Sequence, residues 1–162
     1  MGQVHFEKAS LEDVILRSDL IVVGKALTPF TTTKRIPIKR ISKKVPPFSM
    51  TLYHFQVVET LYSALSIPDL KEIVVAPAVW ETKLRVHADY HVKGISRHVQ
   101  MDVYYGDETP LDLEKTPVIL FLQGRSSPIR FAIDAGYEFI EKVEVVTSLI
   151  KKLKSNLTPS AC

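Results

Sequence analysis

The spacing of apolar and polar positions changes at Asp19. Between Ser10 and Arg17, Leu11, Val14 and Ile15 fall on one helical face, and the short, largely β-branched run Leu20, Ile21, Val22, Val23 follows. The pattern predicts a short amphipathic helix feeding directly into a buried strand. Ser10 takes the N-cap position, with Asp13 in the capping-box slot and Glu12 near the positive helix end. Gly24 predicts a bulge or sharp bend in the strand, which is expected to end near Thr28–Pro29.

Ahead of the helix, Val4 and Phe6 suggest an edge strand. Beyond it, Ile36, Ile38 and Ile41 interrupt the basic stretch from Lys34 to Lys44. Pro37 cannot donate a ladder hydrogen bond, so this stretch is expected to be an exposed edge strand or hairpin arm, ended by Pro46–Pro47. From Phe48 to Leu61 the chain alternates. Tyr53, Phe55, Val57, Glu59 and Leu61 form the more apolar set and are assigned to the core face. Short strands are predicted at Glu72–Ala76 and Val118–Gln123, with a return strand over Ile129–Ile133. A last helix, Lys142 to Ser155, has Val143, Val146, Leu149, Ile150 and Leu153 on its apolar face. Lys151, Lys152 and Lys154 suit its negative end, and residues 156–162 are expected to fray. Val22, Phe55, Val57, Val74, Leu120 and Leu122 are expected to face one another inside the sheet.

The region from Trp80 to Asp107 reads as a hairpin turning at Lys93–Gly94. That register sets Leu84 opposite Val103, Val86 opposite Met101 and Ala88 opposite Val99 on one face. The other face holds Arg85 opposite Asp102, His87 opposite Gln100 and Asp89 opposite His98. Residues 79–115 are thus expected to be a hairpin inserted between strands of the main sheet.

Composition narrows the function classes. The chain has 162 residues, 46% hydrophobic and 24% charged, and is expected to form one soluble domain over 1–162. A net charge of +3 does not by itself imply a nucleic-acid or membrane partner. No apolar run approaches the ~20 residues needed to span a bilayer. The single cysteine, Cys162, rules out an internal disulfide. Compartment is left open, with export expected if a signal peptide was removed.

Two clusters carry candidate chemistry. His87, Asp89, His91 and His98 bring imidazoles and a carboxylate to one hairpin face, the donor set of a borderline divalent metal. His87 and His91 would stand ~13 Å apart along an extended strand, however, so a solvated face is the favoured reading. The basic arm, with Lys34, Arg35, Lys39, Arg40, Lys43 and Lys44 flanked by Phe30 and Phe48, could neutralise phosphates and stack bases. A charged edge that blocks strand-to-strand aggregation explains the same residues and is preferred. There is no G-x-S-x-G and no phosphate-binding glycine loop, so no enzyme and no cofactor are expected.

The order of elements resembles the OB-fold module of the tissue inhibitors of metalloproteinases and the netrin-like domains. The likeness is carried by Ala9–Leu27, Tyr53–Leu61, Lys71–Pro77 and Pro117–Ile133. It departs from that family in having no cysteine near Met1 and none of its disulfides. The resemblance implies a mainly β fold: an OB-like five-stranded barrel with an inserted β-hairpin, a short N-terminal helix and a C-terminal helix. It implies a non-enzymatic module that binds a protein partner. The competing readings are a single-stranded nucleic-acid-binding domain using residues 34–44, and a metal-dependent enzyme on the hairpin.

Overall fold

A computed structural model describes residues 5–38, 46–65, 71–94, 101–105, 115–124, 128–133 and 135–154. The first elements among them are β1 (His5–Lys8), α1 (Leu11–Arg17), β2 (Leu20–Ile36), β3 (Phe48–Ser63) and β4 (Glu72–Ala76). Then come α2 (Trp80–Lys93), β5 (Met101–Tyr104), β6 (Val118–Gln123), β7 (Ile129–Phe131), β8 (Tyr137–Phe139) and α3 (Val143–Lys154). The helix α1 begins as its sequence predicts, with the Asp13 N–H donating to Ser10 Oγ at 3.1 Å.

Five strands close a ring, and the chain is mainly β. β2 pairs antiparallel with β3, β3 with β4, β7 with β6, and β6 back with β2. The remaining pair, β4 with β7, is parallel. β8 adds to β6 beside β7, while β1 and β5 form a separate parallel pair.

Alternation along β2 and β6 builds two cores on opposite sides of the same strands. Leu20 and Val22, with Val118, Leu120 and Leu122, turn into the ring and meet Phe55, Ile73, Val75 and Phe131. Ile21 and Val23, with Ile119 and Phe121, face outward and are covered by Val14 and Ile15 of α1 and Val146 and Ile150 of α3. Both faces of these strands are therefore buried, which explains their unbroken apolar runs. Gly24 makes room inside the ring: a Cβ there would lie 2.7 Å from Leu120 Cδ1.

Several expectations need correction. The core face of β3 ends at Val57, because the register shifts between Val23 and Gly24, where Glu59 and Val57 are the respective partners. That bulge inverts the alternation and carries Glu59 and Leu61 to the outer side, beside α3. On β4, Ile73 and Val75 take the interior places opposite Phe55 and Tyr53, and Val74, opposite His54, is 40% exposed. β2 runs on past Thr28–Pro29 to Ile36, the return strand β7 stops at Phe131, and β8 was not anticipated.

The largest correction concerns the predicted hairpin. Trp80–Lys93 is a helix, and Met101–Tyr104 pairs in parallel with β1, so the Arg85–Asp102 and Leu84–Val103 pairings do not form. Gly94 is the cap of that helix rather than half of a hairpin turn. Its φ of 67° is left-handed, and its N–H donates to the carbonyls of Asp89 and Tyr90. The described part of segment 79–115 thus holds α2 and β5 in place of an inserted hairpin.

Candidate functional site

Beyond Gly24, β2 parts from β6 but stays on β3, and from Thr32 onward, past the last β3–β4 pair at Tyr53, the two strands form a two-stranded arm. The second edge of β2 pairs with β6 only over Leu20–Gly24, whereas its first edge follows β3 as far as Ile36. Among the described residues, no strand occupies that second edge from Lys25 to Ile36. Thr31, Thr32, Thr33, Lys34 and Arg35 are all exposed there. The sequence reinforces the arm's character: Lys25, Lys34, Arg35, Lys39, Arg40, Lys43 and Lys44 fall between Asp19 and Glu59, and no acidic residue does.

Of the predicted basic set, Lys34 and Arg35 stand opposite Met50 and Ser49, on alternate faces of the arm. Lys39, Arg40, Lys43 and Lys44 lie outside the described residues. The flanking aromatics are engaged elsewhere. Phe30 packs its ring 5.4 Å from Tyr53 and 5.2 Å from Phe55, and Phe48 lies 5.7 Å from the His87 ring.

Helix geometry regroups the histidine cluster. His87 and His91, one turn apart on α2, bring their ring centroids to 4.4 Å. Asp89 lies about 200° round the helix from His87 and does not join them. His98 lies outside the described residues. Among the described residues, no group of three or more His, Cys, Asp or Glu side chains could hold a metal ion. His87 also ties α2 to the arm: its Nε2 is 2.8 Å from the Pro46 carbonyl oxygen. A carbonyl can only accept, so Nε2 carries a proton, and in the neutral ring Nδ1 holds the lone pair.

Two further arrangements place side chains of the kind used in catalysis near one another. Thr32 Oγ1 and His54 Nε2 are 2.7 Å apart, the contact of a hydroxyl nucleophile with its base. The pair sits on the exposed arm, however, with no carboxylate hydrogen-bonded to His54 among the described residues. An open cleft of about 490 Å³ between β3 and α3 is lined by Glu59, Leu61, Val143, Glu144, Thr147 and Ser148. There the Thr147 hydroxyl donates to the Val143 carbonyl at 2.7 Å, which occupies its proton.

At the foot of α2, Arg130 pairs with Glu81 and lies over the Trp80 ring, 5.9 Å from its centroid. Trp80 Nε1 is buried without a hydrogen-bond partner among the described residues. Sequence reasoning names His87 and His91 but not their close approach, and expects an exposed edge over Lys34–Lys44 but not its extent back to Lys25. The extent of the edge depends on where β6 stops pairing, a long-range fact, but the approach of the histidines is accessible through Gly94 as a helix-ending signal.

No model of a known protein family matches the chain, and no curated protein matches it. No helix among the described residues is long and apolar enough to cross a membrane.

Proposed function

We propose that this chain is a non-enzymatic binding module on an OB-like barrel of the netrin and metalloproteinase-inhibitor type. Its partner is a protein, held through an extended acidic segment laid along the free edge of β2. The barrel reading is supported by the permuted closure of the ring. Its first strand, β2, pairs with both the second and the fourth, and its third and fifth run parallel. That order suits the Greek-key barrel of an OB fold.

The observation that carries the binding reading is the edge of β2 from Lys25 to Ile36, which no strand covers among the described residues and which is basic and without a carboxylate. An open edge offers backbone N–H and C=O groups in register for an added strand, and side-chain charge selects what adds. Single-stranded nucleic acid fits the charge equally well. It is the weaker reading because Phe30 and Phe48, the aromatics beside the arm, are packed against the protein rather than presented for stacking.

The test is amide chemical-shift mapping of the full chain with an extended peptide alternating Glu and Thr, in parallel with a poly-dT oligonucleotide. Peptide-induced shifts confined to β2, and abolished in Lys34→Glu/Arg35→Glu, are expected. Shifts with the oligonucleotide alone would replace this reading by the nucleic-acid one, and no shift with either would sink both.

A further inference from the structure

We infer that His87 and His91 form a two-imidazole chelate for a divalent cation that accepts ligands at right angles, Cu(II) or Ni(II). This site is independent of the β2 edge. The first support is the tautomer. The Pro46 carbonyl fixes the proton on His87 Nε2, which leaves Nδ1 as a ready ligand and supplies the outer hydrogen bond that metal-bound imidazoles ordinarily make. His91 makes no hydrogen bond among the described residues and is exposed, so its ligating nitrogen need not be freed from a protein partner.

The second support is the spacing. A metal–nitrogen bond of about 2.0 Å, plus about 1.2 Å from nitrogen to ring centre, puts the cation about 3.2 Å from each centroid. Two such rings at a right angle have centroids about 4.5 Å apart, and at the tetrahedral angle about 5.2 Å. The observed separation is 4.4 Å. That spacing, with the rings tilted by 52°, is closer to the right-angle value expected for Cu(II) or Ni(II) than to the tetrahedral value. Water completes the sphere, because no third protein ligand is placed nearby among the described residues. Since His87 also holds the arm at Pro46, a bound cation would stiffen the joint between α2 and the arm.

The test is titration of the full chain with Cu(II) alone near neutral pH, followed by calorimetry and electron paramagnetic resonance. One Cu(II) with two equatorial imidazole nitrogens is expected. His91→Ala, at an exposed position that leaves the fold intact, should weaken binding at least about tenfold, and His54→Ala should leave it unchanged. Melting curves of the metal-free variants check that each is folded. A spectrum with a single imidazole nitrogen would overturn the chelate, as would equal affinity in His91→Ala and the parent.

Discussion

Lys154 Nζ donates to the Ser18 carbonyl oxygen at 3.1 Å, so the last turn of α3 closes the end of α1. The same ammonium reaches the Leu16 carbonyl at 3.3 Å and lies 4.8 Å from the Tyr62 ring centroid. Gln123 Nε2 completes the closure by donating to the Arg17 carbonyl at 2.9 Å. A helix of this length leaves most of its C-terminal carbonyls without intrahelical partners, and here two side chains from distant elements supply donors.

This lysine sets a pH dependence. Burial holds its pKa below the ordinary 10.5, with the Asp19 charge opposing the shift in part. Between the lowered folded value and 10.5 the unfolded chain binds more protons than the folded one, so stability rises with pH across that window. Chemical melts at stepped alkaline pH should show the rise in the parent relative to Lys154→Met, in which this contribution is absent. Parallel curves for the two proteins would remove the argument.

The inner core predicts a sharp contrast between neighbours in space. Phe55 is fully buried and Val74, one residue along β4 from Phe55's partner Ile73, is 40% exposed. Phe55→Ala should cost ~3–5 kcal/mol, since transfer energy is lost and a cavity opens. Val74→Ala should stay within about 0.5 kcal/mol, as at other surface positions. Urea denaturation of the two variants side by side distinguishes them, and equal costs would mean that the β4 register is wrong.

The alternation of β3 places Phe55 inside, because a strong period-2 pattern survives without knowledge of the partner strand, whereas the unbroken apolar run of β6 sets Leu120 and Leu122 on one face and leaves pairing with β2 to turn that face inward. Val74 was misplaced because Ile73, Val74 and Val75 are equally apolar, and only pairing with β3 decides which of them turns inward. The reading of α2 failed for a different reason. Leu84, Val86 and Ala88 alternate with Arg85, His87 and Asp89, so strand periodicity is met by chance in a helix with no buried residue over Trp80–Val92. The face of β3 beyond Val57 was hidden by a bulge, which leaves no mark in composition.

Gly24 predicts an overpacking cost with a specific suppressor. A methyl group there would meet Leu120 Cδ1 at 2.7 Å inside a closed ring, with Phe55 at 3.4 Å on the other side. Gly24→Ala should destabilise by ~1–3 kcal/mol. Shortening the opposing side chain in Gly24→Ala/Leu120→Val should recover part of that loss, read as a coupling energy in a double-mutant cycle. Strict additivity would show that the strain lies in the backbone.

Val79 enters α2 with φ of 47°, a left-handed conformation that a β-branched residue adopts at a cost. The side chain is 49% exposed and makes no cap hydrogen bond, so little packing is at stake. Val79→Gly should therefore raise stability by about 1 kcal/mol, the relieved strain outweighing the greater freedom of the unfolded chain. Val79→Ala, which keeps a Cβ in the same conformation, should gain less. A destabilised glycine variant in thermal melts would refute the strain.

Because β2 and β6 each lend one face to the ring interior and the other to α1 and α3, neither core can come apart without exposing the other. The two must melt as a single unit. Hydrogen exchange at Leu20–Val23 and Val118–Leu122 then requires global unfolding. The outer strand of the arm, Thr31–Arg35, adds no buried residue to either core and can open by local fluctuation at much lower free energy. One continuous strand thus spans amides that open only with the whole fold and amides that open locally, and its pliant half is the half whose second edge no strand covers among the described residues.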